Sequence, residues 1–449
     1  MKIRRKIKNF FKKHISALKV EHYKKQNQLK NYYQALKGAK INVVFVCHRP
    51  AVWGYQKTIF EAMVKDKQFN ISIVAIPNKK QVPGLYLNHE IYETEGAEEF
   101  FKDFPCKVVN GYNYETKEWF DLKSLNPHYV FFQQPYNVCR PAIYHSKEVN
   151  KFARICYIHY GLSMLGEHDV LKEFAYDFFQ YTSLIFAETP YHQQTYIREI
   201  SRHNRFFKFK NIFLTGCPAF DNLEQYKNSE SPLWKHKNPK KLRIIWTPRW
   251  CTSERNCNFI EYKDKLFDYC EEKGYDFIFR PHPQAFLNYI DEGIMTEQDI
   301  ESLKHRYNTS KNSHLDLSKP YLTALYSSDF LITDPSGILV EYILTEKPII
   351  YTKKSNDWAN NWAWKVMVET SYNVTSWQEL QSTIEMLKNG NDPLKEKRQE
   401  IIKNEFYIPK EGAGYIIKEL IKQDFMTKSS WFRSIINSIK INKDFYGKN

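Results

Sequence analysis

The sequence predicts an α/β protein built from two parallel β-sheets, each covered by helices on both faces. Short, β-branched apolar runs recur along the chain, and polar stretches long enough for a helix separate them. Uninterrupted apolar runs are typical of parallel strands, which are buried on both faces of their sheet. A polar, lysine-rich segment at residues 227–241 divides the runs into two sets. The pattern therefore predicts two Rossmann-like domains that face each other across a cleft.

The apolar runs fix the domain boundaries. Six runs precede the polar segment, at residues 41–47, 69–77, 128–134, 154–160, 183–189 and 211–217. Four runs follow it, at residues 242–248, 275–281, 330–334 and 347–352. We therefore expect an N-terminal domain over residues 41–226 and a C-terminal domain over residues 242–425. Ligands bind such sheets at the carboxyl ends of the strands, so functional side chains are expected there.

Composition places the chain among globular proteins without a membrane-spanning helix. Its 449 residues suffice for two or three domains of roughly 100–200 residues each. Hydrophobic residues make up 42% of the chain, yet no apolar run approaches the roughly 18 residues that a spanning helix needs. No apolar segment follows the basic N-terminus, which argues against a cleaved signal peptide. The eight cysteines include no C-x-x-C pair, so neither a disulfide framework nor a zinc site is indicated. We expect a cytoplasmic protein.

The net charge of +15 is concentrated at the two ends of the chain. Residues 1–40 contain 13 Lys and Arg against one acid, and residues 426–449 contain five against one. The intervening residues are close to neutral, with 48 basic and 49 acidic side chains. Because the body of the protein has no basic face and no nucleic-acid motif, nucleic acid is not expected as a partner.

Both basic ends carry apolar residues at helical spacing. The N-terminal stripe consists of Ile3, Ile7, Phe10, Phe11, Ile15 and Leu18. The C-terminal stripe consists of Trp431, Ile435 and Ile439. A basic amphipathic helix suits an anionic membrane surface, because apolar burial and attraction to lipid head groups add. We therefore expect peripheral attachment to the inner face of the cell membrane. A helix docked on its own protein, or a disordered basic tail, would show the same pattern.

Several enzyme classes are disfavoured because their motifs are missing. No G-x-G-x-x-G follows the first strand, which disfavours nicotinamide and flavin enzymes, and no G-x-x-x-x-G-K-[ST] marks a P-loop. No H-E-x-x-H is present, and no D-x-D cluster accompanies the strand ends, so a tightly held divalent metal is not implied. No cofactor is predicted, and Mg²⁺ is compatible with the sequence without being implied by it.

Two predicted strand ends place histidines beside the expected cleft. His159 follows the run RICYI, where a neutral imidazole can accept a proton from an attacking hydroxyl. The motif R-P-H-P follows the run YDFIF. In that motif the Arg280 guanidinium offers a fork of donors to phosphate oxygens, and His282 can donate beside it. A structural histidine at position 159 and a surface turn at 280–283 are the alternatives.

Two further strand ends offer hydroxyl groups and a second guanidinium. The run FLI leads into T-D-P-S-G and then directly into a helix-like segment. Small hydroxyl residues and glycine at a helix N-terminus bind anions through free N–H groups and the helix dipole. The candidate phosphate ligands at this strand end are Thr333, Asp334, Ser336 and Gly337. Glu341 lies about one turn further along and is placed to reach a ribose. An ordinary helix cap would use the same residues.

The last strand end, T-P-R-W at residues 247–250, adds Thr247 and Arg249 as phosphate ligands. Taken together, the three strand ends after residue 242 predict that the C-terminal domain binds a diphosphate. A base is then expected on the opposite domain.

This combination of motifs resembles the CDP-glycerol glycerophosphotransferase family, whose members build teichoic acids and related capsule polymers on a GT-B fold. The resemblance is carried by I-H-Y-G at residues 158–161, T-P-R-W, R-P-H-P and S-S-D-F-L-I-T-D-P-S-G at residues 327–337. It extends from residue 41 to residue 425, with weaker echoes at residues 216–221 and 412–414. It implies an N-terminal acceptor domain and a C-terminal domain that binds the CDP-activated donor.

The resemblance also implies a role for each motif. His159 would be the catalytic base, and Arg280 and His282 would contact the donor phosphates. The elements beside the pyrophosphate would be Thr333, Asp334 and Ser336. The chain departs from the family pattern where Tyr and Ile replace the usual Trp before the first histidine, and where Pro and Gly flank Ser336. These departures bear on the donor polyol more than on the reaction type.

The implied reaction is the transfer of glycerol phosphate, or a similar polyol phosphate, from CDP-glycerol or a related CDP-polyol. The acceptor would be a hydroxyl of a glycan or lipid-linked molecule, and CMP would leave. One alternative is a GT-B glycosyltransferase that uses a CMP- or UDP-sugar in capsule or lipooligosaccharide synthesis, because sialyltransferase-like enzymes also carry an H-P element. A second alternative is a non-catalytic, membrane-associated assembly factor.

Overall fold

The structure is a computed structural model. It describes residues 2–79, 90–162, 176–203, 211–236, 240–250, 257–318, 321–353 and 361–428, without the side chains of residues 2–16, 176, 201–203 and 361. The described chain forms two compact units. The first unit contains the chain up to Asp221 and again from Phe406, and the second contains Asn222–Glu405.

The first unit is built on a seven-stranded sheet in which every neighbouring pair is parallel. Its strands are β1 Ile41–Cys47, β2 Phe69–Ala75, β5 Lys107–Asn110, β6 Tyr129–Phe132, β7 Arg154–Ile158, β8 Thr182–Ala187 and β9 Ile212–Leu214. They lie in the order β5-β2-β1-β6-β7-β8-β9. A short antiparallel pair, β3 Asn78–Lys79 and β4 Tyr92–Glu93, lies outside this sheet. The switch in strand order falls between β1 and β6.

Seven helices of the described chain belong to the first unit. They are α1 Lys2–Leu36, α2 Gly54–Val64, α3 Ala97–Phe101, α4 Ser146–Val149, α5 Tyr176–Phe179, α6 Pro190–His203 and α15 Ala413–Phe425. Two hydrophobic clusters cover the two faces of the sheet, since alternate residues of β1, such as Phe45 and Val44, belong to different clusters. This two-sided burial explains why the central strands read as uninterrupted apolar runs.

The second unit is built on a six-stranded parallel sheet. Its strands are β10 Arg243–Thr247, β11 Asp276–Phe279, β12 Ser313–Leu315, β13 Phe330–Thr333, β14 Ile349–Thr352 and β15 Tyr372–Val374. They lie in the order β12-β11-β10-β13-β14-β15, so the switch falls between β10 and β13. Its helices are α7 Phe259–Lys273, α8 Ala285–Asp291, α9 Glu297–Thr309, α10 Leu322–Ser327, α11 Gly337–Tyr342, α12 Asn361–Ala363, α13 Trp377–Lys388 and α14 Lys395–Glu405.

The predicted α/β class with two parallel sheets is confirmed, and each predicted run contains a strand. The sequence analysis missed β5, β12 and β15, all of which lie at sheet edges. The remaining edge strand, β9, is buried and was predicted, whereas β5, β12 and β15 are short and partly exposed. They therefore lack the apolar run that identifies a central strand.

Two predicted domain boundaries differ from the structure. The described part of the polar segment between the predicted domains, residues 227–236 and 240–241, folds onto the second unit: Trp234 is buried, and its indole N–H donates to Ser327 Oγ at 2.8 Å. The backbone N–H groups of Lys235 and His236 donate to the Asp276 carboxylate. The polar composition of this segment gave no indication of these contacts. Conversely, α15, which the sequence placed in the C-terminal domain, belongs to the first unit, where its apolar face packs into that core.

The described side chains of α1 dock on the first unit. Its buried positions include Val20, Lys24 and Asn31, at helical spacing. Asn27 Nδ2 donates to the carbonyl of Asn150 at 2.8 Å, just before β7. Leu18, the last member of the predicted N-terminal stripe, is 58% exposed and so lies off the docked face. The docking alternative therefore holds for this part of the helix, and the rest of the stripe lies outside the described side chains.

The docked helix also contacts the end of α15. Gln28 Nε2 donates to the carbonyls of Asp424 and Thr427, at 2.6 and 2.7 Å, where α15 ends. The Asp424 carboxylate in turn binds Arg154, the first residue of β7, at 2.8 Å. The predicted C-terminal stripe lies outside the described residues. No helix in the described ranges is both long and apolar enough to cross a membrane.

The two weaker echoes of the family pattern contact each other. The Asp221 carboxylate accepts from the backbone N–H groups of Ala413 and Gly414, at 2.7 and 2.9 Å. It also accepts from the hydroxyl of Thr58 on α2 at 2.6 Å. A carboxylate at a helix N-terminus satisfies N–H groups that have no partner within the helix. These residues therefore hold α15 against α2.

We predict that Gly414→Ala destabilises the first unit. A Cβ at Gly414 would lie 2.5 Å from the carbonyl oxygen of Thr58, so the helices must separate. Overpacking of this kind costs about 1–3 kcal/mol, and urea-induced unfolding of the full chain measures it. Gly54→Ala is the matched control, because a Cβ at Gly54 meets no atom within 4 Å. Equal unfolding free energies for the two variants would show that the close approach carries no strain.

Candidate active site

The switch point of the second sheet collects most of the predicted phosphate ligands. Thr247 and Thr333 end the adjacent strands β10 and β13 and lie opposite each other in register. The Thr247 hydroxyl donates to Thr333 Oγ1 at 2.8 Å, and Thr333 Oγ1 lies 3.2 Å from Ser336 Oγ. Both threonines are buried, whereas Ser336 is partly exposed. Ser336 is therefore the member of this hydroxyl chain that is best placed to meet a ligand.

Gly337 begins α11, immediately after the hydroxyl chain. A Cβ built on Gly337 meets no atom within 4 Å, so the backbone there is not covered by described side chains. Ser336 has extended backbone and makes no side-chain hydrogen bond to the helix. Its hydroxyl is thus not used as an ordinary helix cap, which was the alternative interpretation.

Asp334 organises the loops around the switch point. Its carboxylate accepts from the backbone N–H of Arg249 at 2.9 Å and from Asn258, through both backbone and side chain, at 3.0 and 2.8 Å. It also accepts from the hydroxyl of Thr352, at the end of β14, at 2.5 Å. Burial raises the pKa of Asp334, although these hydrogen bonds oppose the rise. With both oxygens occupied, Asp334 ties three loops together, so its contribution to a donor site is to hold neighbouring groups in place.

Arg249 and Arg280 supply fixed positive charge at the same edge. Arg249 Nη1 donates to the carbonyl of Pro335 at 2.9 Å, across the switch point. Arg280 follows β11, and its guanidinium forms an ion pair with buried Asp316 and donates to the carbonyl of Ser318 at 2.9 Å. The Arg280 guanidinium also lies 5.1 Å from the ring centre of Tyr321. An arginine held on several sides presents its remaining donors with little loss of side-chain entropy.

Glu341, the predicted ribose ligand, contacts Tyr321. Its carboxylate accepts from the Tyr321 hydroxyl at 2.6 Å. Tyr321 thus links Glu341 on α11 to the guanidinium of Arg280. Glu341 is partly exposed, so this bond leaves part of the carboxylate open to solvent.

His282, the histidine of the R-P-H-P motif, is exposed. Its Nδ1 accepts from the backbone N–H of Gln284 at 3.2 Å. Partial desolvation of the ring and the nearby Arg249 cation lower the pKa of His282, so the imidazole is neutral at pH 7. A neutral ring that accepts at Nδ1 carries its proton on Nε2. His282 therefore presents an N–H donor.

His159 lies at the end of β7 in the first unit, and its imidazole is the opposite tautomer from that of His282. Its Nδ1 lies 2.5 Å from the carbonyl of Gly161, and a carbonyl only accepts, so Nδ1 carries the proton. Burial lowers the pKa of His159 to about 4, which keeps the ring neutral at pH 7. Its ring stacks on Tyr160 with centres 4.7 Å apart. His159 therefore presents an unprotonated Nε2, the form that a general base requires.

A carboxyl group that the sequence analysis did not single out supports His159. Glu188 follows β8, which neighbours β7, and its Oε1 accepts from the backbone N–H of His159 at 2.9 Å. Glu188 is 1% exposed. Burial raises the pKa of Glu188 to about 8, against the hydrogen bonds from backbone N–H groups. At pH 7 the carboxyl is therefore mostly protonated.

The structure thus brings the predicted donor ligands of the second unit to one sheet edge, and places His159 at the carboxyl edge of the first sheet. Sequence reasoning missed Glu188, Asp316 and Tyr321. The first two each follow a strand directly, a signal that was available for Glu188 in the run SLIFAET. Within the described chain, no group of three or more His, Cys, Asp or Glu side chains is arranged to hold a metal ion.

Comparison with known proteins gives the family and the fold. A profile of the family described as CDP-glycerol:poly(glycerophosphate) glycerophosphotransferase matches residues 172–403, just over half of the chain. The minor teichoic acid biosynthesis protein GgaB of Bacillus subtilis (strain 168) is 26% identical over 165 residues. That match covers 34% of this chain and 17% of GgaB, so the chain spans about a sixth of the length of this relative.

Solved structures share the fold at low identity. The wall teichoic acid polymerase TagF has a TM-score of 0.55 and 15% identity, over 93% of this chain and 98% of that one. UDP-GlcNAc 2-epimerase from Methanocaldococcus jannaschii has a TM-score of 0.52 and 13% identity, over 86% of this chain and 99% of that one. These likenesses confirm the GT-B-like architecture. The chain belongs to the CDP-glycerol:poly(glycerophosphate) glycerophosphotransferase family, a family of transferases, as its strand-end motifs predicted.

Proposed function

We propose that this protein transfers glycerol phosphate, or a similar polyol phosphate, from a CDP-activated donor to a hydroxyl of a cell-surface glycan or teichoic-acid-like acceptor. One observation carries the proposal: the segment that matches the family contains the sheet edge at which His282 offers a neutral N–H donor and Arg249 and Arg280 supply the positive charge. A diphosphate requires such fixed cationic donors. CDP-glycerol is the donor we expect first, with other CDP-polyols as close alternatives.

The second unit binds the donor in this proposal. Arg280, braced by Asp316 and Tyr321, donates to the phosphate oxygens. His282 donates through Nε2–H, and Ser336 and the Gly337 backbone lie beside the same edge. Three residues support the donor site indirectly, because their hydrogen bonds fix the loops that carry the ligands: Thr247, Thr333 and Asp334. Glu341, which is partly exposed, binds a ribose hydroxyl.

His159 takes the acceptor's proton. The acceptor oxygen attacks the phosphorus that bears the glycerol, and a new P–O bond forms. The bond from that phosphorus to the bridging oxygen of the pyrophosphate breaks, CMP leaves with the bonding electrons, and the acceptor proton passes to Nε2 of His159. Phosphoryl transfer depends mainly on positioning and charge stabilisation, which Arg280 and His282 supply. The reaction needs no cofactor beyond these groups, and Mg²⁺ dependence is an outcome to measure.

We further propose that the basic chain ends hold the protein on the inner face of the cell membrane, from the cytoplasmic side. Residues 1–40 carry most of the excess positive charge. The contacts of Gln28 with the end of α15 place the start of the basic C-terminal segment beside α1. Leu18 and Leu36, at 58% and 66% exposure, lie on α1 away from its docked side. Two basic segments of one chain bind a surface more strongly than either alone.

The reaction is tested by CMP release from the purified full-length protein. We expect CMP from CDP-glycerol or CDP-ribitol in the presence of capsule-type or teichoic-acid-type acceptors, with a new phosphodiester in the product. Mass spectrometry of the product identifies the linkage. Turnover only with a CMP- or UDP-sugar, with a glycosidic bond formed, would replace phosphoryl transfer by glycosyl transfer on the same fold. No turnover of any activated donor would indicate an assembly factor.

The two histidines are tested by His159→Ala and His282→Ala. Each variant is expected to lose activity on the order of 10²-fold or more, because one removes the base and the other a donor to the phosphates. His305→Ala is the matched control, since this histidine is exposed on α9. Initial rates are compared after circular dichroism has shown that the variants fold. Near-normal turnover by either variant would remove that histidine from the mechanism.

Membrane attachment is tested by co-flotation with vesicles that contain phosphatidylglycerol. The full-length protein is expected to float with anionic vesicles and less with neutral ones, and added salt should weaken binding. Replacing the seven Lys and Arg residues between Lys2 and Lys13 by Gln should reduce binding at least about tenfold, given about 1 kcal/mol for each charge near the surface. The control replaces as many exposed lysines of the second unit. Equal binding by both variants would leave α1 as a docked structural helix.

A further inference from the structure

Glu188 lies where the hydrogen-bond ladder between β7 and β8 ends. The last register pair there is Ile158 with Phe186, so the backbone N–H of His159 lies just beyond the regular strand pairing. The Glu188 carboxyl takes up this N–H through Oε1 at 2.9 Å. It thereby fixes the backbone from which the imidazole of His159 projects. The imidazole ring itself is held by the hydrogen bond from its Nδ1–H to the carbonyl of Gly161.

The Glu188 carboxyl is only partly satisfied by hydrogen bonds, unlike that of Asp334. Burying a carboxyl group costs free energy unless its oxygens are hydrogen-bonded. Glu188 is 1% exposed, its Oε2 is buried, and no described residue gives Oε2 a hydrogen-bond partner. Among the described residues, Tyr157 on β7 and Tyr196 on α6 are the titratable groups that act on the carboxyl electrostatically, and both are buried.

We infer that Glu188 is a positioning residue for the transfer reaction: its carboxyl sets the direction of His159 Nε2 towards the acceptor hydroxyl and exchanges no proton with it. The inference rests on the proposed role of His159 as base. Misplacing a reacting group by about 1 Å can cost about 10²-fold in rate, so a brace on the backbone of the base has a measurable effect. Glutamine offers the same acceptor oxygen and so should replace glutamate, whereas alanine should not.

The kinetic test compares Glu188→Gln with Glu188→Ala in the full-length protein, using CDP-glycerol as donor. Glu188→Gln should keep most of kcat, and Glu188→Ala should lower kcat by about 10- to 100-fold, with KM for CDP-glycerol unchanged because the donor binds the other unit. Glu199→Gln is the matched control, because Glu199 is equally buried on α6 and its Oε1 pairs with Arg198. Loss of activity in Glu188→Gln as large as in His159→Ala would overturn the inference, and so would full activity in Glu188→Ala.

A second measurement does not depend on activity. Amide hydrogen exchange of His159, followed by NMR with ¹⁵N-histidine labelling, should be slow in the wild type and in Glu188→Gln. It should be at least about tenfold faster in Glu188→Ala, where the acceptor is gone. Unchanged protection in Glu188→Ala would overturn the inference even if the protein proves not to use CDP-glycerol. If protection follows this pattern but His159→Ala remains active, the failure lies in the proposed function.

The pH dependence of stability distinguishes a carboxyl with a raised pKa from an ordinary one. The folded state holds the Glu188 proton up to about pH 8, whereas the unfolded chain releases it at about pH 4.3. Stability therefore falls as pH rises between these values, because the unfolded state binds fewer protons. Glu188→Gln removes this loss, so its midpoint of thermal unfolding should rise relative to that of the wild type from about pH 5 to pH 8. A constant difference across this range would show that the carboxyl is already ionised at pH 5.

Discussion

Both units depend on hydrogen bonds from backbone N–H groups to buried carboxyl groups where regular pairing ends. A parallel ladder leaves N–H groups unpaired at the edges of the sheet, and an unpaired buried N–H costs as much as a lost hydrogen bond. Asp334 takes up the N–H groups of Arg249 and Asn258, and Glu188 takes up that of His159. Because these N–H groups belong to loops that carry the site, the carboxyl groups that satisfy them also determine where the site residues lie.

This constraint changes how the strand-end motif T-D-P-S-G is understood. Read as a sequence, the motif places an aspartate among phosphate ligands, although a carboxylate repels phosphate. In the structure the Asp334 carboxylate accepts from the side chains of Asn258 and Thr352, whereas Ser336 is partly exposed. Asp334 therefore holds the loop, and Ser336 is the residue that meets the ligand. The same division applies to Asp316, which orients Arg280.

The central strands could be predicted from sequence because two-sided burial imposes an uninterrupted apolar run, as in β1 and β8. The edge strands β5, β12 and β15 could not, because they are partly exposed, whereas the buried edge strand β9 could. The predicted site residues followed from the rule that function gathers at carboxyl ends of parallel strands. Their supporting partners did not follow from it. That Glu188 meets the N–H of His159 depends on the adjacency of two strands separated by a long stretch of chain, which no local pattern encodes.

The first unit is interrupted in sequence by the whole of the second, and this has a consequence for biosynthesis. The second unit is continuous, so all of its strands are available once residue 405 has left the ribosome. The first unit at that stage still lacks α15, and with it the carboxylate of Asp424 that pairs with Arg154 and the carbonyls that Gln28 binds. Chains fold as they are made, N-terminal parts first. Here, however, α1 waits for α15 before its docking site is complete, so a nascent chain must keep the apolar surface that α15 will cover shielded until α15 has been made.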